Sequence, residues 1–284
     1  METKKNILLV PYDFTSVGDF ALEHALGIAK TIDYDVYVFH VINKETRAKI
    51  KRDNLPDDYV EQELQRLIEK ATEDNKVYVK YITREGSIFT DIAAVAKEIG
   101  ARFVVMGTHG KKGMQHLTGS WALKVISASE VPFIVVQEKH FRHGYKNIVF
   151  PIDDSIESKQ KVKWAIHIAK IFNSIIHIIS TNESNTETAA RVYRNIQQIK
   201  NFFDDNNIEY IIRVNEEKGG NFAKAVINYA EYIEADLIMI MTEPDVLLPV
   251  YNLGKWDEHI LFNTSKIPVM CVNPRDFSIM VVGL

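Results

Sequence analysis

The sequence predicts an α/β protein of two repeated domains, each an open, mostly parallel five-stranded sheet with helices on both faces. Three observations carry that prediction. The chain of 284 residues is long enough for two domains of ordinary size. Its halves match in order: "KKNILLVPYDFTS" from Lys4 with "YKNIVFPIDDS" from Tyr145, "ALGIAKTIDYDVYVFHVIN" with "AIHIAKIFNSIIHIISTN", "REGSIFTDIAAVAKEIGARFVVMGTH" with "EKGGNFAKAVINYAEYIEADLIMIMTE", and "EVPFIVV" with "KIPVMCV". Within each half, short apolar β-rich runs alternate with stretches of helical periodicity, which specifies strands in parallel with crossover helices on both faces.

The elements of the first half follow in order. "NILLV", "VYVFHV", "VYVKYI", "RFVVMG" and "PFIVVQ" are nearly continuous apolar runs, as strands covered on both faces require. Between the first two, "DFALEHALGIAKTI" places Ala21, Leu22, Ala25, Leu26, Ile28 and Ala29 on one helical face. "DDYVEQELQRLIEKATEDNK" reads as a charged amphipathic helix with a solvated outer face, and a further helix is centred on "WALKVISAS". The repeat sets the domains at residues 1–140 and 145–276, joined near "QEKHFRHGYKN" and followed by the apolar tail "FSIMVVGL" at 277–284. Aligning the two Lys-Asn-Ile triplets puts Asp13 opposite Asp154.

Composition narrows the function. Hydrophobic residues at 46% and charged residues at 25% are the balance of a globular protein with sizeable cores. A formal charge of -4 provides no overall attraction to nucleic acid or to an anionic membrane. The start "METKKNILLV" is too short in apolar residues for a signal sequence or a spanning helix, so a cytoplasmic protein is expected. Cys271 is the single cysteine, which excludes an intrachain disulfide and a cysteine-based zinc site, and within "IPVMCV" it reads as a buried strand residue. No grouping of His, Asp and Glu shows a metal-ligand spacing.

The most informative stretch is "VVMGTHGKKGMQHLTGSWALKVI", where Gly107, Gly110, Gly113 and Gly119-Ser120 lie between the fourth strand and a helix. Glycine allows close backbone approach, and the N–H groups opening a helix favour an anion, above all a phosphate. A tight turn and a helix cap would use the same residues. The spacing is not that of a P-loop, because the lysines follow Gly110, and no G-x-G-x-x-G occurs. Asp13, after the first strand, can accept hydrogen bonds from ribose hydroxyls or cap the following helix, a role that Thr15, Ser16 or Asp19 can also fill.

At these residues the sequence resembles the universal stress protein family, twice over along essentially the whole chain. Nucleotide-binding members carry Gly, two residues, Gly, nine residues, then Gly-Ser or Gly-Thr; this chain shows Gly107, Gly110 and Gly119-Ser120, with eight residues in the longer interval. The resemblance implies a fold of the adenine nucleotide alpha-hydrolase type and an ATP site, with magnesium where phosphates are bound. Asp13 would meet base and ribose, the backbone of Val41 the adenine, and Pro11 and Met106 the borders of the base. Gly110, Gly119, Ser120 and the amides of Trp121 and Ala122 would face the phosphates, with His109 beside them. At the Ala122 position some ATP-binding members carry a hydroxyl. In this family the last strands pair across a two-fold, which implies an intrachain pseudo-dimer of the two domains and a homodimer of chains.

No nucleophile with a partnering base stands out, so no catalytic residue is assigned, and a stress-response or regulatory binding protein is expected, at most a slow ATPase. A structural or interaction protein of the same fold, or a binder of another small ligand, is the alternative. In the second half Met241, Glu243 and Pro244 stand opposite Gly107, His109 and Gly110. A side chain, a carboxylate and a residue without N–H all oppose an anion, so one nucleotide per chain is expected.

Overall fold

The computed structural model describes residues 5–108, 119–215, 221–244, 251–252 and 257–274. The chain divides into two compact units, Met1–Phe141 and Arg142–Leu284. In the first unit β1 (Ile7–Pro11), α1 (Ser16–Ile32), β2 (Asp35–Ile42), α2 (Lys44–Arg52), α3 (Tyr59–Asn75), β3 (Val79–Glu85), α4 (Ile88–Ile99), β4 (Ala101–Gly107), α5 (Gly119–Ser127) and β5 (Phe133–Val136) follow in order.

The five strands pair as β3-β2-β1-β4-β5, every pair parallel. The chain lays β2 and β3 on one side of β1 and β4 and β5 on the other, so the order reverses at β1. A crevice opens at the carboxyl ends of strands at such a reversal. Leu8, Leu9 and Val10 of β1 and Phe103, Val104 and Val105 of β4 are wholly buried, which is why neither run alternates with polar residues. The face of α1 read from the sequence is buried at all six positions. β3, an outer strand of this sheet, is half-buried along most of its length.

One helix was not visible in the sequence pattern. The crossover from β2 to β3 holds α2 as well as α3. Asn43 starts α2 by accepting from the N–H groups of Glu45 and Thr46, satisfying two of the donors a helix start leaves open. None of its residues is buried, so it has no apolar stripe by which periodicity could be recognised. Beyond β5 the chain returns to α1. Phe141 meets His24 edge-on at 5.2 Å, its N–H donates to Glu23 at 3.0 Å, and a Cβ at Gly27 would come within 2.1 Å of its ring. Residues that read as a linker are thus packed onto the first unit.

The second unit runs β6 (Asn147–Ile152), a 3-10 turn (Glu157–Lys159), α6 (Val162–Phe172), β7 (Ile175–Ser180), α7 (Thr186–Asp205), β8 (Tyr210–Val214), α8 (Phe222–Tyr232), β9 (Leu237–Met241), β10 (Glu243–Pro244), β11 (Tyr251–Asn252), α9 (Asp257–Leu261) and β12 (Val269–Val272). Its sheet order is β12-β9-β6-β7-β8, again parallel throughout. Cys271 is buried in β12. β10 and β11 form a two-residue antiparallel pair, Glu243 with Asn252 and Pro244 with Tyr251. No helix among the described residues is long and apolar enough to cross a membrane.

Strand register corrects the alignment of the repeats. Leu8 pairs with Phe103, and Ile148 pairs with Leu237; since "ARFVVM" matches "ADLIMI", Leu8 corresponds to Ile148. Asp13 therefore corresponds to Asp153, not to Asp154. The hydrogen bonds agree: Asp13 Oδ1 accepts from the N–H and hydroxyl of Thr15 at 3.2 and 2.5 Å, and Asp153 Oδ1 accepts from the N–H and hydroxyl of Ser155 at 3.0 and 2.6 Å. Triplet matching failed because one residue is missing between Asn147 and Pro151 relative to Asn6 and Pro11.

Candidate functional site

A cavity of about 500 Å³ opens in the first unit at the carboxyl ends of β1, β2 and β4. The chain leaving β1 forms one wall with Pro11, Asp13 and Phe14, and Val41 and Gly107 come from the ends of β2 and β4. The opposite side is made by α2 and the start of α3, through Thr46, Lys49, Ile50 and Tyr59. This is where the reversal of strand order places a ligand crevice.

Thr15 is the N-cap of α1, its hydroxyl accepting from the Gly18 N–H at 3.4 Å. Asp13 is left to close the turn through Oδ1. It is half-buried on the cavity wall, and its Oδ2 receives no hydrogen bond among the described residues. The Tyr12 hydroxyl donates to Asp19 Oδ1 at 2.5 Å, and burial, reinforced by that carboxylate, raises the phenol pKa, so Tyr12 stays neutral.

His40 supports the wall from below. Its Nδ1 lies 2.7 Å from the Tyr12 carbonyl; a carbonyl only accepts, so Nδ1 carries the hydrogen. Burial, only partly offset by that bond, lowers the ring's pKa and favours the neutral form. Nε2 is then the acceptor and faces the Thr46 hydroxyl at 3.2 Å. This bond ties the end of β2 to α2. Arg47 adds an exposed ion pair to Glu85 at 2.5 Å, worth little in water.

The structure accounts for Gly107 by packing. A Cβ there would lie 2.3 Å from the carbonyl oxygen of Val17, so glycine is what lets the end of β4 pass under the start of α1. Gly107 also lines the cavity, and it serves both ends.

The profile of the universal stress protein family matches residues 5–137 and again 144–273. The chain belongs to the universal stress protein family. Universal stress protein MJ0531 of Methanocaldococcus jannaschii is 29% identical over 138 residues, spanning 46% of this chain and 81% of that protein. Its relative MJ0577 from the same organism is also 29% identical, over 156 residues that cover 47% of this chain and 95% of its own. Among solved structures, a universal stress protein from Archaeoglobus fulgidus aligns over 95% of this chain and 99% of its own, with a TM-score of 0.75 at 20% identity. At that identity the likeness concerns the fold. A universal stress protein solved in complex with cAMP is also similar, over 34% of this chain and 73% of its own, at 20% identity and a TM-score of 0.29.

Within this universal stress protein the predicted site residues divide. Pro11, Asp13, Val41 and Gly107 share the cavity wall; Val41 is still inside β2, paired with Arg84 of β3. Met106 and Ala122 are fully buried and lie off that wall. Gly119, Ser120, Trp121 and Ala122 form the first turn of α5, whose N–H groups have no partner within the helix. His109 and Gly110, like the tail 277–284, lie outside the described residues.

Sequence reasoning missed Phe14, His40, Thr46 and the α2 residues of the wall. The signal for α2 was Asn43 itself, a capping residue directly after a strand; nothing marked the others.

The second unit carries different groups at the corresponding positions. Asp154 pairs with Arg191, whose Nη2 and Nε lie 2.7 and 3.0 Å from Oδ2. "ALGIAKTI" and "AIHIAKIF" bring Lys161 into register with the buried Ala21. Lys161 is itself buried; its ammonium donates to the carbonyls of Pro151 and Ser158 at 2.7 and 2.9 Å and lies 4.5 Å over the Phe150 ring. Among the described residues no group of three His, Cys, Asp or Glu side chains is placed to hold a metal ion.

Proposed function

We propose that the first universal stress protein domain binds an adenine nucleotide, ATP with magnesium on its phosphates, and that the protein acts in a stress response or its regulation as a cytoplasmic homodimer. The observation that carries this reading is the cavity at the strand-order reversal. It brings the carboxylate of Asp13, the end of β2 at Val41 and the end of β4 at Gly107 around one space of about 500 Å³. That volume suits a small ligand, and a mostly apolar wall with a few convergent polar groups is what such ligands require. Asp13 Oδ2 accepts from the ribose, and the opening N–H groups of α5 receive the phosphates. In this reading the site binds its ligand without turning it over: the hydroxyl and imidazole paired on the wall, Thr46 with His40, hold α2 to the end of β2.

The second domain takes no nucleotide in this reading, because its turn carboxylates and the buried Lys161 are engaged within the fold and Pro244 offers no N–H. Titration calorimetry of the full chain with Mg-ATP tests both parts. A saturable heat at one site per chain is expected, and Gly119→Val removes it. Absence of heat at millimolar nucleotide overturns the reading in favour of a structural or interaction protein. That alternative draws on one observation: the Asp13 turn and Gly107 each have a reason within the fold.

A further inference from the structure

Phe14 stands in the left-handed region, with φ of 62°. A bulky side chain is rarely found there, and backbone held in such a conformation concentrates at functional sites. The turn itself does not demand it. Asp153 closes the equivalent turn with the same two hydrogen bonds, and the equivalent residue, Asp154, is not among the described residues with positive φ. Strain at Phe14 is therefore a property of the first repeat, whose cavity Phe14 lines.

The conformation sets an aromatic ring on the cavity wall. Phe14 lies 5.4 Å from Tyr12, edge to face at 77°, and 5.0 Å from His40 at 48°. Both supports are fixed: Tyr12 is tied to Asp19 and His40 to the Tyr12 carbonyl. On the other side of the same space stand Ile50 and Tyr59. A flat ring entering the cavity thus meets a braced aromatic wall next to the carboxylate of Asp13.

We propose that Phe14 is a positioning residue for the ligand's planar heteroaromatic base, which stacks on its ring, while Asp13 beside it takes the sugar. This rests on the nucleotide reading of the same cavity and adds which end of the ligand Phe14 holds. It acts on the base and not on the phosphates.

The test uses full-length wild type, Phe14→Gly, Phe14→Leu and Phe14→Tyr, each titrated with Mg-ATP and with inorganic tripolyphosphate and each melted without ligand. Glycine accepts a φ of 62° without strain, so Phe14→Gly melts no lower than wild type, whereas its ATP affinity falls about ten-fold, the loss of one base–aromatic stack. Tripolyphosphate affinity stays within two-fold in every variant. Phe14→Tyr keeps ATP affinity, and Phe14→Leu, which preserves apolar bulk if glycine loosens the turn, loses it. An ATP affinity unchanged in Phe14→Gly and Phe14→Leu overturns the assignment while leaving nucleotide binding intact. An equal loss for ATP and tripolyphosphate overturns it as well, since Phe14 would then merely hold the loop. If the wild type itself binds no ATP, the nucleotide reading fails and the assignment with it.

Discussion

The two turns that follow β1 and β6 carry the same hydrogen bonds and serve different ends. Asp13 with Thr15 and Asp153 with Ser155 close the same loop. After the first, α1 begins at once at Ser16 behind an open cavity; after the second come a 3-10 turn and a buried lysine before α6 begins at Val162. The repeat has thus kept the local geometry that joins strand to helix and has changed what faces the crevice. Hydrogen bonds that close a turn are short in range and survive substitution around them, whereas a cavity depends on every residue along its wall.

The largest effect that separates the halves is expected at Gly107. Gly107→Ala places a methyl against the Val17 carbonyl and costs about 3 kcal/mol, measured by denaturant unfolding. Its counterpart Met241 already carries a side chain in β9, so Met241→Leu stays within about 1.5 kcal/mol. A tolerated Gly107→Ala would mean that β4 and α1 can move apart, and the packing account would fail.

Next comes Lys161. Lys161→Met removes the ammonium from two carbonyls and leaves them buried without that donor, a loss of about 2 kcal/mol in the second unit. Nucleotide affinity of the first unit is unchanged. A more stable Lys161→Met protein would show that the buried charge costs more than its hydrogen bonds return.

Asp13 and Asp153 close equivalent turns, and only the first lines the cavity. Asp13→Ala is expected to weaken Mg-ATP by roughly ten-fold, as loss of a charge-assisted bond does, and to cost about 1 kcal/mol of stability through its turn. Asp153→Ala shows the second effect alone. Equal nucleotide loss in both variants would place a competent site in the second repeat.

The smallest effect at neutral pH concerns His24 and grows on acidification. Burial lowers its pKa from 6.5 to about 4 in spite of a bond to the Lys139 carbonyl, so between those values the unfolded chain binds more protons than the folded one. Stability is whole above pH 6.5 and falls as the pH drops towards about 4. His40 and His177 are lowered by burial in the same direction. Unfolding midpoints of wild type and His24→Asn, compared at pH 7 and pH 4.5, should show a shallower acid dependence in the variant; parallel slopes would remove His24 from the account.

By itself the sequence determined the duplication, the parallel sheets, the buried face of α1 and the crevice at the carboxyl ends of the strands. Each is a matter of period or order, and hydrophobic burial writes such features into the chain one residue at a time. Asp13 and Gly107 stood out beside the ends of strands, whereas Pro11 and Val41 came only from the resemblance to the family. Tertiary structure alone decided the rest. Strand pairing, not the Lys-Asn-Ile triplets, made Asp153 the partner of Asp13, because register is fixed by neighbours across the sheet. Contact with α1 explained Gly107, and close packing drew Phe141 onto Gly27. The cavity wall of α2 carries no buried residue to announce it, and the left-handed turn of Phe14 has no glycine to signal it. Such features depend on groups far apart in the chain, and no local pattern records them.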